Sequence, residues 1–222
     1  MQFLFEENAG EPELSMRGDN YKYLIKVRRH EVGDQIVLRH PKQPKFLHHY
    51  LLESIDGRRL RLKLEHTSEE PIKAEHALHI GWCMIDPKSI EKVLPILNEL
   101  GVAKITFIYC ERSQKSFRPE LKRFKRILES SMQQCGRSEW MELEMMESLE
   151  EFLSANPGAV VLDFCSSVFK NQVKVATVLI GSEGGFSEAE RVRLSTQRCI
   201  RLDTPMILRS ESAATAIAAK ML

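Results

Sequence analysis

Hydrophobic and polar positions alternate through the first seventy residues in short runs. Phe3–Phe5, Tyr23–Val27, Gln35–Arg39, Phe46–Glu53 and Arg59–Glu65 each carry β-branched, aromatic or alternating apolar residues, with Gly18, Gly33-Asp34 and Asp56-Gly57 between them. In Arg59–Glu65 the leucines Leu60, Leu62 and Leu64 alternate with Arg59, Arg61 and Lys63, so one face is apolar and the other cationic. The expectation is a small β-barrel of short strands over residues 1–70, followed by a polar linker at Ser68–Lys73 and a second domain over 71–222.

After the linker the period lengthens. HALHIGWCMI reads as a buried strand, and Asp86-Pro87 supplies an N-cap and a first-turn proline. Ile90, Val93, Leu94, Leu97 and Leu100 then recur at helical spacing until Gly101, with Pro95 inside the run predicting a kink. A strand at Lys104–Tyr109, a helix from Pro119 to Gln134, strands at Ala159–Phe164 and Val175–Gly181, a helix from Ser187, a strand at Cys199–Leu202 and a terminal helix continue the series. Alternation of this kind predicts an α/β domain with a mainly parallel sheet.

Charge changes the picture only when read locally. The chain has 32 basic and 31 acidic residues, which excludes a uniformly basic coat. Yet Arg112–Arg137 holds eight basic residues (Arg112, Lys115, Arg118, Lys122, Arg123, Lys125, Arg126, Arg137) against two acidic ones, and Arg17–Lys45 is also strongly basic. Glu139–Glu151 carries six glutamates in compensation. Each basic stretch alone reads as a solvated face, and one in each domain points to a phosphate backbone. Candidate RNA contacts are Arg28, Arg29, Arg112, Lys122, Arg123 and Arg126.

No apolar run is long enough to span a bilayer and the first residues lack a secretory pattern, so a cytoplasmic protein without a membrane partner is expected. The five cysteines are widely spaced with no C-x-x-C pair; free, packed thiols are expected and no metal site. Every histidine lies at or before His79, so chemistry in the C-terminal part proceeds without a histidine base.

The segment Val175–Glu190, VATVLIGSEGGFSEAE, runs from an apolar strand into Gly181-Ser182-Glu183-Gly184-Gly185 and on to a capping box at Ser187 and Glu190. Glycines at the carboxyl end of a parallel strand let backbone approach a ligand, or form only a tight turn. Neither a dinucleotide fingerprint nor a P-loop is present. A second segment, Leu202–Leu222, passes through Ile207-Leu208 to Arg209, after which Ser210 is expected to cap an alanine-rich helix.

Together, NELGV, ERS, ESSMQQCGR, IGSEGGFSEAE and ILRSESAA, with Tyr23-Leu24, Val27-Arg28-Arg29 and Gly33-Asp34, resemble the signatures of the bacterial 16S ribosomal RNA (uracil-N3) methyltransferases of the SPOUT superfamily. The resemblance implies an N-terminal PUA-like β-barrel that holds RNA and a C-terminal domain with a trefoil knot that binds S-adenosylmethionine (SAM). It also implies a homodimer acting on 16S ribosomal RNA or the small ribosomal subunit. On this basis SAM is expected against Leu162, Ile180, Gly181, Glu183, Gly184, Gly185, Leu202, Ile207, Leu208, Ser210 and Ser212. Arg209 is the candidate for stabilising charge on the uracil, and Glu183 or Glu211 for accepting its N3 proton, although Glu211 could instead cap its helix while Arg209 bridges to it. The chain departs from the family pattern at Gln2 (usually Arg), Ile96 (Lys), Ser182 (Pro), Thr204 and Met206 (Gly and Arg), and Ser212-Ala213 (Thr-Ala). Another SPOUT enzyme, such as a ribose 2′-O-methyltransferase, or a non-catalytic ribosome-assembly protein are the alternatives.

Overall fold

The computed structural model describes residues 2–113, 118–169 and 175–221. Lys115, counted above in the second basic stretch, lies outside them. The chain divides into two compact units, one made of Met1–Lys73 with Met132–Glu139, the other of Ala74–Ser131 with Trp140–Leu222.

The first unit is built on a five-stranded sheet. Its strands are β1 (Leu4–Phe5), β2 (Glu13–Arg17), β3 (Gln35–His40), β4 (Gln43–Asp56) and β5 (Arg59–Glu69), in the order β1-β3-β4-β5-β2. The β1–β3 pairing is parallel and the others are antiparallel. The alternation in β5 turns Leu60 and Leu62 into the core, where they oppose Met16 and Leu14 of β2. Strand β2 was not read from the sequence, because its five residues offer only two apolar positions.

Tyr23–Val27, expected as a strand, is helical: a short helix α1 (Asp19–Tyr21) runs into a wider helical turn at Lys22–Val27. The apolar residues that bury there are Tyr21 and Leu24, three apart, which suits a helix face and not a pleat. Arg39 is buried at 1% exposure, donating to the carbonyls of Pro44 and Glu70 and lying 4.9 Å over the Phe3 ring. Backbone bonds from Gln2 to Gln133 and from Ser138 to Ile72 tie residues 132–139 into this unit.

The second unit carries a six-stranded sheet in which every pairing is parallel. Its strands are β6 (His79–Cys83), β7 (Lys104–Ile108), β8 (Glu142–Met146), β9 (Val160–Leu162), β10 (Thr177–Ile180) and β11 (Cys199–Ile200), ordered β11-β9-β10-β6-β7-β8. The helices are α2 (Pro87–Glu99), α3 (Leu121–Cys135), α4 (Leu149–Ala155), α5 (Glu188–Leu194) and α6 (Ser210–Met221). As expected, Asp86 caps α2, accepting from the Ser89 amide at 3.2 Å; α2 continues unbroken through Pro95. Strand β8 and the start of helix α4 lie within the acidic stretch that the sequence presented only as charge. In β8 the glutamates alternate with half-buried Leu143 and Met145 at the sheet edge, and Ser148 caps α4.

One expectation is overturned: Cys83 and Cys110 form a disulfide and are not free thiols. Cys83 ends β6 and Cys110 lies two residues beyond the end of neighbouring β7, so strand register brings together thiols separated by 27 positions. Cys135, Cys165 and Cys199 are free. Burial, reinforced by a hydrogen bond with Cys165, pushes the Cys199 thiol up to about 12. Among the described residues no helix is long and apolar enough to cross a membrane.

Candidate active site

The carboxyl ends of β9 and β10 open onto a pocket of about 830 Å³, its solvent-facing mouth included. Strand ends of this kind are where parallel sheets place ligands, because the loops leaving them splay apart. Leu162, Ile180, Gly181, Glu183, Gly185, Leu202, Ile207, Leu208 and Ser210, all expected from the sequence, line it. Asp163, Phe164, Phe186 and Arg201, which the sequence did not point to, line it too, as do Ser182, Thr204, Met206 and Ala213, noted in the sequence as departures from the family pattern; Gly184, Arg209, Glu211 and Ser212 do not.

The glycine segment is a tight loop and a pocket wall at once. The Gly185 amide donates to the Ser182 carbonyl at 2.9 Å, so it closes the turn and is not free for a ligand. Gly185 has a φ of 66°, and a Cβ on Gly181 would stand 3.2 Å from the Gly185 Cα. Only glycine lets these two backbones approach so closely.

Arg112 fastens the loop from outside: its Nη1 donates to the Gly184 carbonyl at 2.8 Å, and the Ser182 hydroxyl donates to the Arg112 carbonyl at 3.2 Å. Gly184 therefore faces the stem of Arg112 and not the pocket. Next to it, Glu190 is 1% exposed and accepts from the amides of Ser187 and Glu111 at 2.8 and 2.7 Å. The capping box at Ser187 is thus also the tie between Glu111-Arg112-Ser113 and the glycine loop.

The opposite wall is Thr204–Leu208. The Thr204 hydroxyl accepts from the Met206 amide at 3.1 Å, and the Thr204 amide donates to the Leu202 carbonyl at 3.0 Å. A residue that departs from the family pattern therefore shapes this loop through its side chain. Among the described residues, the amides of Ile207 and Leu208 donate to no protein group. Phe164, Met206 and Ile207 are 75%, 69% and 83% exposed, so three large apolar side chains surround one opening. Such clustering marks a binding surface more than ordinary scatter does.

Ser210 opens α6 but does not cap it. Its hydroxyl accepts from the Trp82 indole at 2.8 Å and donates to the Gly181 carbonyl at 2.6 Å, which leaves Arg209 at the cap position. Arg209 is exposed, and no ion pair joins it to Glu211 among the described residues. At the pocket edge Asp163 accepts from Arg191 Nε and Nη2 at 3.0 and 3.3 Å, which raises the Arg191 pKa.

The proposed RNA contacts fall in both units. Arg28 and Arg29 are exposed in the first unit, Arg29 with a φ of 61°. In the second, Lys122 and Arg126 are exposed on α3, and Arg123 is held bidentately by Glu91 at 2.5 and 2.8 Å, which raises its pKa.

A family model described as an RNA methyltransferase domain matches residues 73–222. A ribosomal RNA small subunit methyltransferase E of Helicobacter pylori (strain 26695) is 37% identical over 222 residues, covering 98% of each chain. A Legionella pneumophila protein solved with SAM bound aligns over 99% of this chain and 96% of its own at a TM-score of 0.79 and 22% identity. The ribosomal RNA small subunit methyltransferase E from Neisseria gonorrhoeae, solved bound to SAM, covers 100% and 96% at a TM-score of 0.76 and 20% identity. The last two establish likeness of fold.

Proposed function

The chain belongs to the RNA methyltransferase family, and on that footing we propose that it transfers a methyl group from SAM to N3 of a uridine in the 16S ribosomal RNA of the small subunit. The observation that carries this reading is the full-length similarity to the Helicobacter pylori enzyme, whose name specifies small-subunit ribosomal RNA.

The pocket fits the cofactor. The close Gly181–Gly185 approach leaves the loop backbone uncovered in the pocket wall, and the amides of Ile207 and Leu208, residues of the same lining, have no protein partners among the described residues. Ile180–Gly185 and Ile207–Leu208 would hold the adenosine, with Leu162, Leu202 and Ser210 behind them; Gly184 and Ser212 would act only through their neighbours. When bound, SAM supplies an electrophilic methyl group.

The chain's own residues then have three tasks. The apolar rim of Phe164, Met206 and Ile207 excludes water, and the two walls orient the reactants, which can remove much of the barrier. Arg209 does not line the pocket but stands exposed between the lining residues Leu208 and Ser210, and we assign it to the negative charge that develops on the uracil as the N3 proton leaves. Glu183 lines the pocket and Glu211 does not, so Glu183 accepts that proton. N3 lies on the Watson–Crick edge, so the target uridine enters unpaired or extruded from its stack.

Arg28, Arg29, Arg112, Lys122, Arg123 and Arg126 were the sequence's candidates for holding RNA. We retain the exposed Arg28, Arg29, Lys122 and Arg126 and assign Arg112 to the glycine loop. The five-stranded sheet with its one parallel pair supports a PUA-like barrel. A trefoil knot is supported by the path of the chain, which leaves β10 for β11 beyond β9 and then returns to place Ser210 against Trp82 of β6. We further propose a homodimer, with the exposed Val192 on α5 among its contacts, and a cytoplasmic location where ribosomal RNA is found. There the Cys83–Cys110 bond is shielded by burial, its residues being 0% and 2% exposed.

The test is incubation of the purified protein with methyl-labelled SAM and small subunits lacking the modification, followed by mass spectrometry of the nucleosides. Label in 3-methyluridine is expected. Label in a 2′-O-methylated nucleoside identifies a different enzyme, and no label beside an active control methyltransferase overturns the assignment.

A further inference from the structure

We infer that four arginines at one end of the five-stranded sheet form a basin that binds the phosphates of an RNA strand. The inference rests on the reading above that RNA is the substrate. Arg17, Gly18, Asp56, Arg58, Arg59 and Arg61 line an open groove where β2 ends and the β4–β5 turn begins. None of these arginines was among the named candidate contacts, although Arg17 opens the basic stretch Arg17–Lys45.

Strand register makes the groove unusual. Arg17 stands directly opposite Arg59 in the antiparallel β2–β5 ladder. Like charges in that position repel and destabilise the pair. Four residues along, the same two strands place Glu13 opposite Lys63, the complementary choice. Some exposed cations of this unit are paired, Lys22 with Asp19 at 3.0 Å, Lys45 with Glu69 at 3.0 Å and Lys63 with Glu53 at 3.8 Å, while Lys26, Arg28, Arg29, Lys42 and Lys73 have no ion pair among the described residues. In the basin only Arg61 has one, Asp56 at 3.8 Å, while Arg17, Arg58 and Arg59 have none among the described residues. The chain as a whole is nearly neutral at +1, so this concentration is not the by-product of a basic composition.

The side chains suit phosphate. All four cations are arginine, whose planar fork bonds phosphate oxygens bidentately, where lysine offers a point charge. Arg59 and Arg61 lie two residues apart on the solvent face of β5, about 7 Å along the strand. Arg17 faces Arg59 from the next strand at about 5 Å. Separations of this size match successive phosphates of one polynucleotide strand. A compact ligand such as free phosphate would engage one or two of the four.

The experiment is a salt titration of the binding of fluorescein-labelled small-subunit ribosomal RNA to the full-length protein, followed by anisotropy. The variants are the double Arg59→Gln, Arg61→Gln and the charge-matched control Lys22→Gln, Lys45→Gln. The basin variant is expected to bind roughly tenfold more weakly at low salt, and its plot of log affinity against log salt to be shallower by about 1.5. The control should change affinity less than about twofold, and SAM binding by calorimetry should match the wild type in both. If the basin variant fails to fold, the pair Arg17→Gln, Arg58→Gln carries the same expectation.

An unchanged slope in a folded basin variant, with the wild type binding and methylating RNA, overturns the basin alone. A wild type that neither binds nor methylates the RNA overturns the functional reading and the basin with it. Vesicles of equal parts phosphatidylcholine and phosphatidylserine provide the remaining arm: loss of vesicle binding with RNA binding retained would reassign the basin to a membrane surface.

Discussion

Trp82 and Ser210 are 128 positions apart and joined by a buried hydrogen bond of 2.8 Å from the indole to the hydroxyl. Since the same hydroxyl donates to the Gly181 carbonyl at 2.6 Å, one small side chain connects the central strand, the glycine loop and the start of α6. The pocket's two walls are therefore held in register from the core.

Ser210→Ala strands the indole N–H in an apolar interior, which costs about 1–3 kcal/mol. Urea unfolding should show that loss, and calorimetry should show weaker SAM binding, while Ser210→Thr restores both by keeping the hydroxyl. Full stability in the alanine variant would mean that the relay contributes nothing.

Arg112→Ala removes the clamp on Gly184 and should weaken SAM binding roughly fivefold, the worth of one hydrogen bond of about 1 kcal/mol. Its affinity for RNA should change less. The reverse pattern would return Arg112 to the RNA-binding role suggested by its place in a basic stretch.

Arg209→Ala should lower turnover by roughly 10²–10³, the range for losing a group that stabilises developing charge, with RNA affinity nearly unchanged. Single-turnover methylation and anisotropy measured on the same preparation separate the two effects. Weakened RNA binding at normal turnover would make Arg209 an anchor.

Acidification should destabilise the second unit through His79. Its Nε2 lies 2.8 Å from the Thr106 hydroxyl, which donates to Glu144 at 2.8 Å, and Lys104 meets the same carboxylate at 2.9 Å. Burial first, and then the Lys104 charge, lower the His79 pKa from its ordinary 6.5. The folded state thus favours neutral imidazole, the unfolded state takes up a proton first, and stability falls as pH drops through about 6.5. Denaturation midpoints at about pH 7.5 and 5.5 should differ, and less so in His79→Asn. Glu144, whose pKa is lowered by its bonds to Lys104 and Thr106, adds a further loss in the carboxylate range.

Gly81→Ala should cost about 1–3 kcal/mol by overpacking, because a Cβ there would lie 2.2 Å from the Phe152 ring. Thermal unfolding measures the effect, and Phe152→Leu in the same chain should recover part of it.

Much of this protein is legible in its local order. Leucine alternation in Arg59–Glu65, the Asp86-Pro87 helix start and the Ser187–Glu190 capping box depend on neighbours in sequence, so they could be read directly. The glycine loop and Ile207-Leu208 were legible as segments that follow strands, and the structure brings both to the lining of one pocket. What lay beyond the sequence depends on register between distant segments. It could not tell that Cys83 and Cys110 meet, that Arg17 faces Arg59, that Tyr21 and Leu24 bury as a helix face, or that Arg112 grips a carbonyl 72 positions away. Local propensity sets which segments become strands and helices, whereas parallel pairing and the packing of loops onto strand ends decide which side chains meet. Ser210 shows the division: its sequence context suggests a helix cap, and only the approach of Trp82 and Gly181 makes it the link between core and pocket.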